Sequence, residues 1–333
     1  MGKRDAMEKI IVAATGGTIA SRWNPETRKL SSGVITGDEL LGLIPDLDRR
    51  LPVEVHNLFG APSSFLGPDR MLTLARRVQF FLESPEVAGV VVTHGTDTLE
   101  ESAYLAGLVI SGEKPVVFTG SQRGPLETGS DGLRNLRDAI RVAAWEESRS
   151  KGVLVVFNEE IHSAIHVVKA DAYKLEAFRS EGKGPLGFID DEIIRYHADP
   201  VLAPPIPVES IDARVELIKV VAGMDGGPVD SAVDRKADGL VIEGFGRGHV
   251  PPEMMPSIRR AVAQGVVVLV VSRCGRGFVR EVYDFEGSLR DLLAHGAISG
   301  PGMPGTKARI KLLLVLSHTR DSEIIGSFFD RDR

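Results

Sequence analysis

Short, unbroken runs of β-branched and apolar residues, each delivered into a turn rich in threonine and glycine, narrow the possible folds of this chain most. Residues 10–14 read Ile-Ile-Val-Ala-Ala and enter Thr15-Gly16-Gly17-Thr18-Ile19-Ala20. Residues 87–92 likewise enter Thr93-His94-Gly95-Thr96-Asp97-Thr98. Runs this short and this continuously apolar predict strands buried on both faces of a parallel sheet. Strands are predicted at 10–14, 53–58, 87–93, 115–119 and 152–157, with helices at 37–44, 68–82, 99–111 and 132–145 between them. The 68–82 segment shows the helical period directly, with Met71, Leu74, Ala75 and Val78 on one face. The rhythm predicts an α/β fold whose mainly parallel sheet is covered by helices on both faces.

A cluster of prolines (Pro200, Pro204, Pro205 and Pro207) interrupts this rhythm. Such a stretch resists regular structure and reads as a linker. After it the pattern restarts, with strands expected at 215–221, 239–243 and 266–271 and helices at 252–264, 288–294 and 307–316. The organisation expected is a larger N-terminal catalytic domain over 1–198, a linker over 199–213 and a smaller C-terminal α/β domain over 214–333. At 333 residues the chain has ample length for two cores.

Composition excludes several classes of function. A net charge of −6 carries no electrostatic footprint for nucleic acid. No apolar stretch approaches the roughly 18 residues of a membrane span. The charged start leads into a five-residue strand, not into a secretory leader. The single cysteine, Cys274, excludes an internal disulfide and a cysteine-based zinc site. A cytoplasmic enzyme is expected, with no nucleic acid or membrane partner.

Both threonine-rich turns follow central strands, where open α/β sheets place ligands. Gly16 and Gly17 allow a sharp turn and close approach of a ligand to the backbone before Thr18. The same pair also suits a plain structural turn, although it does not spell a dinucleotide fingerprint. Residues 21–32 lack periodicity and read as a mobile loop able to close a site. Thr96 and Asp97 suit the N-cap of the next helix, and equally a seat for a ligand ammonium or carboxylate. Lys169 lies in a mostly uncharged segment, Ser163 to Asp171. Desolvation there would lower its pKa and make it a proton acceptor; a snorkelling surface lysine is the other reading. The histidines show no metal-binding helix spacing: His162 and His166 are four apart in a segment that does not read as helical. No metal is expected.

Taken together, these motifs resemble the bacterial-type L-asparaginase (asparaginase/glutaminase) family. The likeness continues through Gly120-Ser121-Gln122-Arg123, Ser130-Asp131-Gly132, Asn135-Leu136, Phe178-Arg179-Ser180, Gly244 to Gly248 and Ser272-Arg273-Cys274. It implies an amidohydrolase that splits asparagine through an acyl-enzyme, with weaker action on glutamine and no cofactor. It further implies Thr18 as nucleophile, and Thr96, Asp97 and Lys169 as a hydrogen-bonded relay. Gly17 and Thr96 would supply oxyanion-binding N–H groups, Asp97 would hold the substrate ammonium, and Ser63 and Ser64 its carboxylate. His249 and Tyr283 stand where the family completes a neighbouring subunit's site, so a homo-oligomer, a dimer or a tetramer of intimate dimers, is expected.

The sequence departs from the family where many members place a tyrosine in the loop after the nucleophile; none occurs between Ser21 and Leu51. The acidic neighbour common beside the serine is also missing from Gly60-Ala61-Pro62-Ser63-Ser64. An amidase acting on another amide, such as a D-amino-acid amide or a modified asparagine, is therefore the alternative, followed by a non-catalytic amino-acid-binding protein. An amidotransferase component of related sequence is disfavoured, since no further domain precedes the first strand.

Overall fold

The computed structural model describes residues 8–31, 33–44, 47, 51–300 and 302–330. These divide into two compact units, Met1–Pro205 and Ile206–Arg333. In the first unit the strands are β1 (Lys9–Ala14), β2 (Arg22–Asn24), β3 (Lys29–Ser31), β4 (Val53–Asn57), β5 (Val87–Thr93), β6 (Val116–Thr119) and β7 (Val153–Phe157). They continue with β8 (Glu160–Ser163), β9 (Val167–Lys169), β10 (Phe178–Ser180), β11 (Gly187–Asp190) and β12 (Ile193–Tyr196). Its helices are α1 (Gly37–Gly42), α2 (Pro68–Leu82), α3 (Leu99–Val109) and α4 (Gly132–Ala144).

Eight strands form the main sheet in the order β12-β11-β8-β7-β6-β5-β1-β4. The five from β7 to β4 are parallel, and β8, β11 and β12 add an antiparallel edge. The parallel strands are apolar throughout because helices cover both faces. On α4, Leu136, Ala139, Ile140 and Ala143 recur at helical spacing and are buried against Ile10, Val12, Val91, Val117 and Leu154. On the opposite face of the sheet, α2 and α3 pack against each other and against the alternate side chains.

Chain order decides where a ligand can enter. From β1 the chain moves to β4 on one side, then returns past β1 to β5 on the other. The connections therefore diverge between β1 and β5, which leaves a crevice at the carboxyl ends of those two strands. Ala14 pairs with Thr93 across this point, so both threonine-rich turns leave the sheet side by side.

The structure corrects two sequence expectations. Within the expected loop over 21–32, residues 21–31 are not irregular, and residue 32 lies outside the described residues: β2 and β3 pair as a small antiparallel hairpin, Arg22 opposite Ser31 and Asn24 opposite Lys29. Its turn is closed by the Asn24 side chain, which accepts the N–H groups of Glu26 at 2.9 Å and Thr27 at 3.2 Å. Secondly, β8 to β12 are strands that the sequence pattern does not predict. The β7–β8 turn holds Asn158 and Glu159 at φ 50° and 67°, the paired positive values of a two-residue hairpin.

The second unit holds β13 (Val215–Lys219), β14 (Gly239–Gly244), β15 (Val267–Ser272) and β16 (Ile298–Ser299), parallel and in sequential order. Its helices are α5 (Gly227–Asp234), α6 (Met255–Ala263), α7 (Leu289–Ala294), α8 (Gly305–His318) and α9 (Ser322–Asp330). Val229, Met255, Ile258, Leu289 and Leu292 bring α5, α6 and α7 onto one core, with Leu240, Ile242, Val268 and Val270 of the sheet. The α8 helix packs on β13, β14 and β15. The proline-rich segment is shared between the units: Asp199 pairs with Lys151 in the first, and Pro207 accepts from His318 in the second. Among the described residues, no helix is long and apolar enough to cross a membrane.

Candidate active site

The crevice between β1 and β5 is drawn tight by glycine. Gly17 sits at φ 84° and ψ −172°, a region that is essentially glycine-only. A Cβ added there would lie 2.4 Å from the Gly95 Cα. A Cβ on Gly95 would lie 2.8 Å from Ser63 Oγ. Three chain segments thus approach closely at Gly17, Gly95 and Ser63, and Thr18 and Thr96 are the residues that follow the two glycines. Thr18 opens a short 3₁₀ turn, Thr18–Ala20, held by Ala20 N–H to Gly17 O at 3.1 Å and Ser21 N–H to Thr18 O at 3.0 Å. Ser63 and Ser64 lie in a second 3₁₀ turn, Ser63–Phe65. Ser63 is buried, and its carbonyl accepts the Thr98 hydroxyl at 2.9 Å; Ser64 is exposed.

Lys169 ends β9, an edge strand paired with β10, and reaches over the amino end of α3. Its Nζ donates to Thr96 Oγ1 at 2.9 Å and to Asp97 Oδ1 at 2.8 Å. Glu100, in the first turn of α3, accepts the Lys169 backbone N–H and so fixes where the side chain starts. Thr96 is buried, whereas the Asp97 side chain is 70% exposed, so its carboxylate remains open to an arriving cation. An ion pair this exposed contributes only about 0–1 kcal/mol to folding. Its interest is chemical: a buried hydroxyl, an amine and an accessible carboxylate meet at the switch point.

Sequence reasoning assigns no role to several residues that touch this group. Gln122 Oε1 lies 3.3 Å from Thr96 Oγ1. The Asp131 carboxylate accepts the N–H groups of Gln122 and Arg123, each at 3.0 Å. The signal that could have found Gln122 is its position: it follows β6, the neighbour of β5 on the sheet, and so leaves the same edge. His249 and Tyr283 belong to the second unit, where their rings meet edge-on at 5.2 Å beside Phe285. Burial lowers the His249 pKa below its usual value. Among the described residues, no group of three or more His, Cys, Asp or Glu side chains could hold a metal ion.

His94, between the two turns' anchor points, is fully buried, and its Nδ1 lies 2.8 Å from Gly95 O. A carbonyl only accepts, so Nδ1 carries the proton. Burial pulls the His94 pKa from 6.5 to about 4. An unfolded chain binds a proton as pH falls through 6.5, while the folded chain stays neutral until about 4. The stabilising contribution is therefore complete above pH 6.5 and is lost across that window as pH falls, by about 3 kcal/mol in all. Urea unfolding at pH 7 and pH 4.5 is expected to show a shallower acid loss in His94→Gln than in the parent. Equal losses would mean His94 is not the group responsible.

Residues 9–202 match the family model described as Asparaginase, N-terminal, and residues 214–329 that of the Glutaminase/Asparaginase C-terminal domain. The chain is 37% identical over 314 residues to the L-asparaginase of Bacillus licheniformis, an alignment covering 94% of this chain and 97% of the relative. It is 34% identical over 339 residues to L-asparaginase 2 of Bacillus subtilis, with coverage of 98% and 87%. It is also 33% identical over 334 residues to a glutamyl-tRNA(Gln) amidotransferase component of Methanosarcina mazei, with coverage of 96% and 76%. With both family models matched in order along nearly its whole length, the chain belongs to the asparaginase family.

Proposed function

We propose that this protein hydrolyses L-asparagine to L-aspartate and ammonia through a threonine acyl-enzyme, with L-glutamine a weaker substrate. The observation that supports the reading is the contact of Lys169 with Thr96 and Asp97, in the turn whose Gly95 lies against Gly17, the residue before Thr18. A threonine hydroxyl becomes a competent nucleophile only when a base removes its proton. In the reading, Thr18 Oγ1 attacks the side-chain amide carbon as its proton passes to Thr96 Oγ1 and the Thr96 proton passes on to Lys169 Nζ, which acts as the neutral amine. The C–N bond then breaks and the leaving nitrogen takes up a proton, so that ammonia departs. Water cleaves the resulting ester and returns the proton to Thr18. Backbone N–H groups of Gly17 and Thr96 hold the oxyanion. Asp97 takes the substrate ammonium, which competes with Lys169 for the same carboxylate, and Ser63 and Ser64 take the α-carboxylate.

The reading calls on no metal or cofactor and places the protein in the cytoplasm. It also takes the assembly to be a homotetramer, in which His249 and Tyr283 complete the site of a neighbouring copy; sedimentation at assay concentration tests the assembly. The stretch without tyrosine after Thr18 favours one second reading, an amidase of the same mechanism with a different amide as substrate.

Ammonia release from L-asparagine, D-asparagine and L-glutamine, assayed in parallel, is expected to be greatest on L-asparagine. Asp97→Ala is expected to raise KM for L-asparagine at least about tenfold, the worth of one charge-assisted contact. The loss should be smaller on succinamic acid, which lacks the α-amine, because only the Asp97 contact with Lys169 is removed there. An equal loss on both substrates would remove Asp97 from the ammonium seat.

A further inference from the structure

We propose that Thr98 is a specificity-determining residue for this reaction, setting through Ser63 the length of amide that the site accepts. The inference rests on the reading above, in which Ser63 holds the substrate's α-carboxylate and Thr18 attacks its amide carbon.

Two segments of the chain spell the same helix-start signature, a threonine followed three residues later by a glutamate: Thr36 with Glu39, and Thr98 with Glu101. Thr36 uses it. Its hydroxyl oxygen accepts the Glu39 N–H at 3.3 Å, and Glu39 Oε2 accepts the Thr36 N–H at 2.8 Å. Thr98 stands at the corresponding position of α3, yet its side chain makes no capping hydrogen bond. It donates instead to the carbonyl oxygen of Ser63, 35 residues away, at 2.9 Å. A threonine at a helix start ordinarily stabilises its own helix. Here the hydroxyl is turned to a neighbouring segment.

That segment is the 3₁₀ turn Ser63–Phe65, in which the Ser63 carbonyl also accepts the Leu66 N–H at 3.0 Å. Just before it, the Ala61 N–H donates to Thr15 O at 3.3 Å, a tie to the β1 turn. A Cβ on Gly95 would lie 2.8 Å from Ser63 Oγ, and a Cβ on Gly17 2.4 Å from the Gly95 Cα. The Ser63 turn is therefore fixed to the turn that carries Thr96 and Asp97, and that turn lies against the residue before Thr18. Fixing both ends of a site fixes the span between them. Glutamine, one methylene longer than asparagine, then brings its amide carbon to Thr18 displaced by about 1 Å, and such a displacement costs about a hundredfold in rate. Without the Thr98 hydroxyl the Ser63 turn can shift, which misplaces asparagine and relieves glutamine.

Ammonia release from L-asparagine and L-glutamine, compared between the parent and Thr98 variants, tests the assignment. Thr98→Val, which keeps the shape, and Thr98→Ala, which cannot overfill the space, both remove the donor. In each we expect kcat/KM on L-asparagine to fall about fivefold, the worth of one neutral hydrogen bond, with kcat/KM on L-glutamine unchanged or higher. Because the ratio compares two substrates on one preparation, any loss of folded protein cancels from it. Thr98→Ser, which keeps the hydroxyl, should hold the ratio within about twofold of the parent. On a Ser63→Ala background, where the seat itself is gone, Thr98→Val should no longer change the ratio. Equal losses on both substrates, a parental ratio in Thr98→Val, a lowered ratio in Thr98→Ser, or a ratio that still falls on the Ser63→Ala background overturns the specificity role. A parent that releases no ammonia from L-asparagine overturns the proposed function, and this role with it, before any variant is compared, so the two failures are told apart.

Discussion

Thr18→Ala is expected to abolish ammonia release from L-asparagine, lowering kcat by about 10⁴-fold, while the protein still folds and still binds its ligand. The size follows from what is removed. Without the hydroxyl there is no acyl-enzyme, and only oxyanion stabilisation and substrate positioning remain, as in other nucleophile deletions. Folding should be little affected, because the turn at Thr18 is held by backbone hydrogen bonds from Ala20 and Ser21 and not by the threonine side chain. Binding should survive because the seats assigned to the substrate's charged groups, Asp97, Ser63 and Ser64, are separate residues. Ligand at a hundredfold excess over Kd should raise the unfolding free energy of the variant by about 2.7 kcal/mol, measurable as a shift in Tm. Undiminished ammonia release would sink the nucleophile assignment. Loss of both turnover and the ligand-induced shift would show that Thr18 shapes the site and would leave its chemistry unassigned.

The central parallel strands are legible because burial on both faces demands continuous apolar residues, and little else in a sequence looks like Val90-Val91-Val92. The α2 bounds, Pro68–Leu82, can be read correctly for a related reason: proline suits a helix start, and a one-sided apolar period is hard to mistake. The antiparallel edge leaves no such trace. Strands of three or four residues such as β8 (Glu-Ile-His-Ser) and β10 (Phe-Arg-Ser) are too short and too polar for a period to emerge. The β7–β8 turn uses Asn-Glu in place of the Asn-Gly that marks most such hairpins. In the second unit α5 and α9 escape the sequence pattern as well: α5 has eight residues and starts at Gly227-Pro228.

The site divides along the same line. Thr18, Thr96 and Asp97 stand beside unbroken apolar runs, so their place at the end of the sheet can be inferred from sequence. Lys169 comes forward through the uncharged segment around it and through family resemblance. Gln122, Glu100 and Asp131 gain their positions only when β6, α3 and β9 are brought together, from residues as far as 69 positions apart in the case of Glu100 and Lys169. No local pattern encodes that. What a single sequence carries well is the strand that presents a group; what it carries poorly is the neighbour that holds the group still.

Gly17→Ala is expected to be nearly as damaging to activity as loss of the nucleophile, and to destabilise the protein where Thr18→Ala does not. Two separate penalties coincide. The backbone at φ 84° and ψ −172° is forbidden to residues with a Cβ, at about 1–3 kcal/mol of strain. The new methyl would also sit 2.4 Å from the Gly95 Cα and 2.5 Å from its nitrogen, atoms of rigid backbone that cannot swing aside. Relief requires the β1 turn, which carries Thr18, to move away from the β5 turn, which carries Thr96. We expect a loss of about 2–4 kcal/mol in unfolding free energy, together with a fall in kcat of about a thousandfold, because a displacement of one ångström already costs about a hundredfold. Gly42→Ala supplies the control, since it is exposed at the end of α1 and an added Cβ meets nothing within 4 Å. That substitution should leave activity unchanged and stability unchanged or slightly higher. Urea unfolding and ammonia release measured on both variants decide the matter. If Gly17→Ala keeps parental activity, the two turns do not need to touch, and the contact between them cannot be what aligns the site.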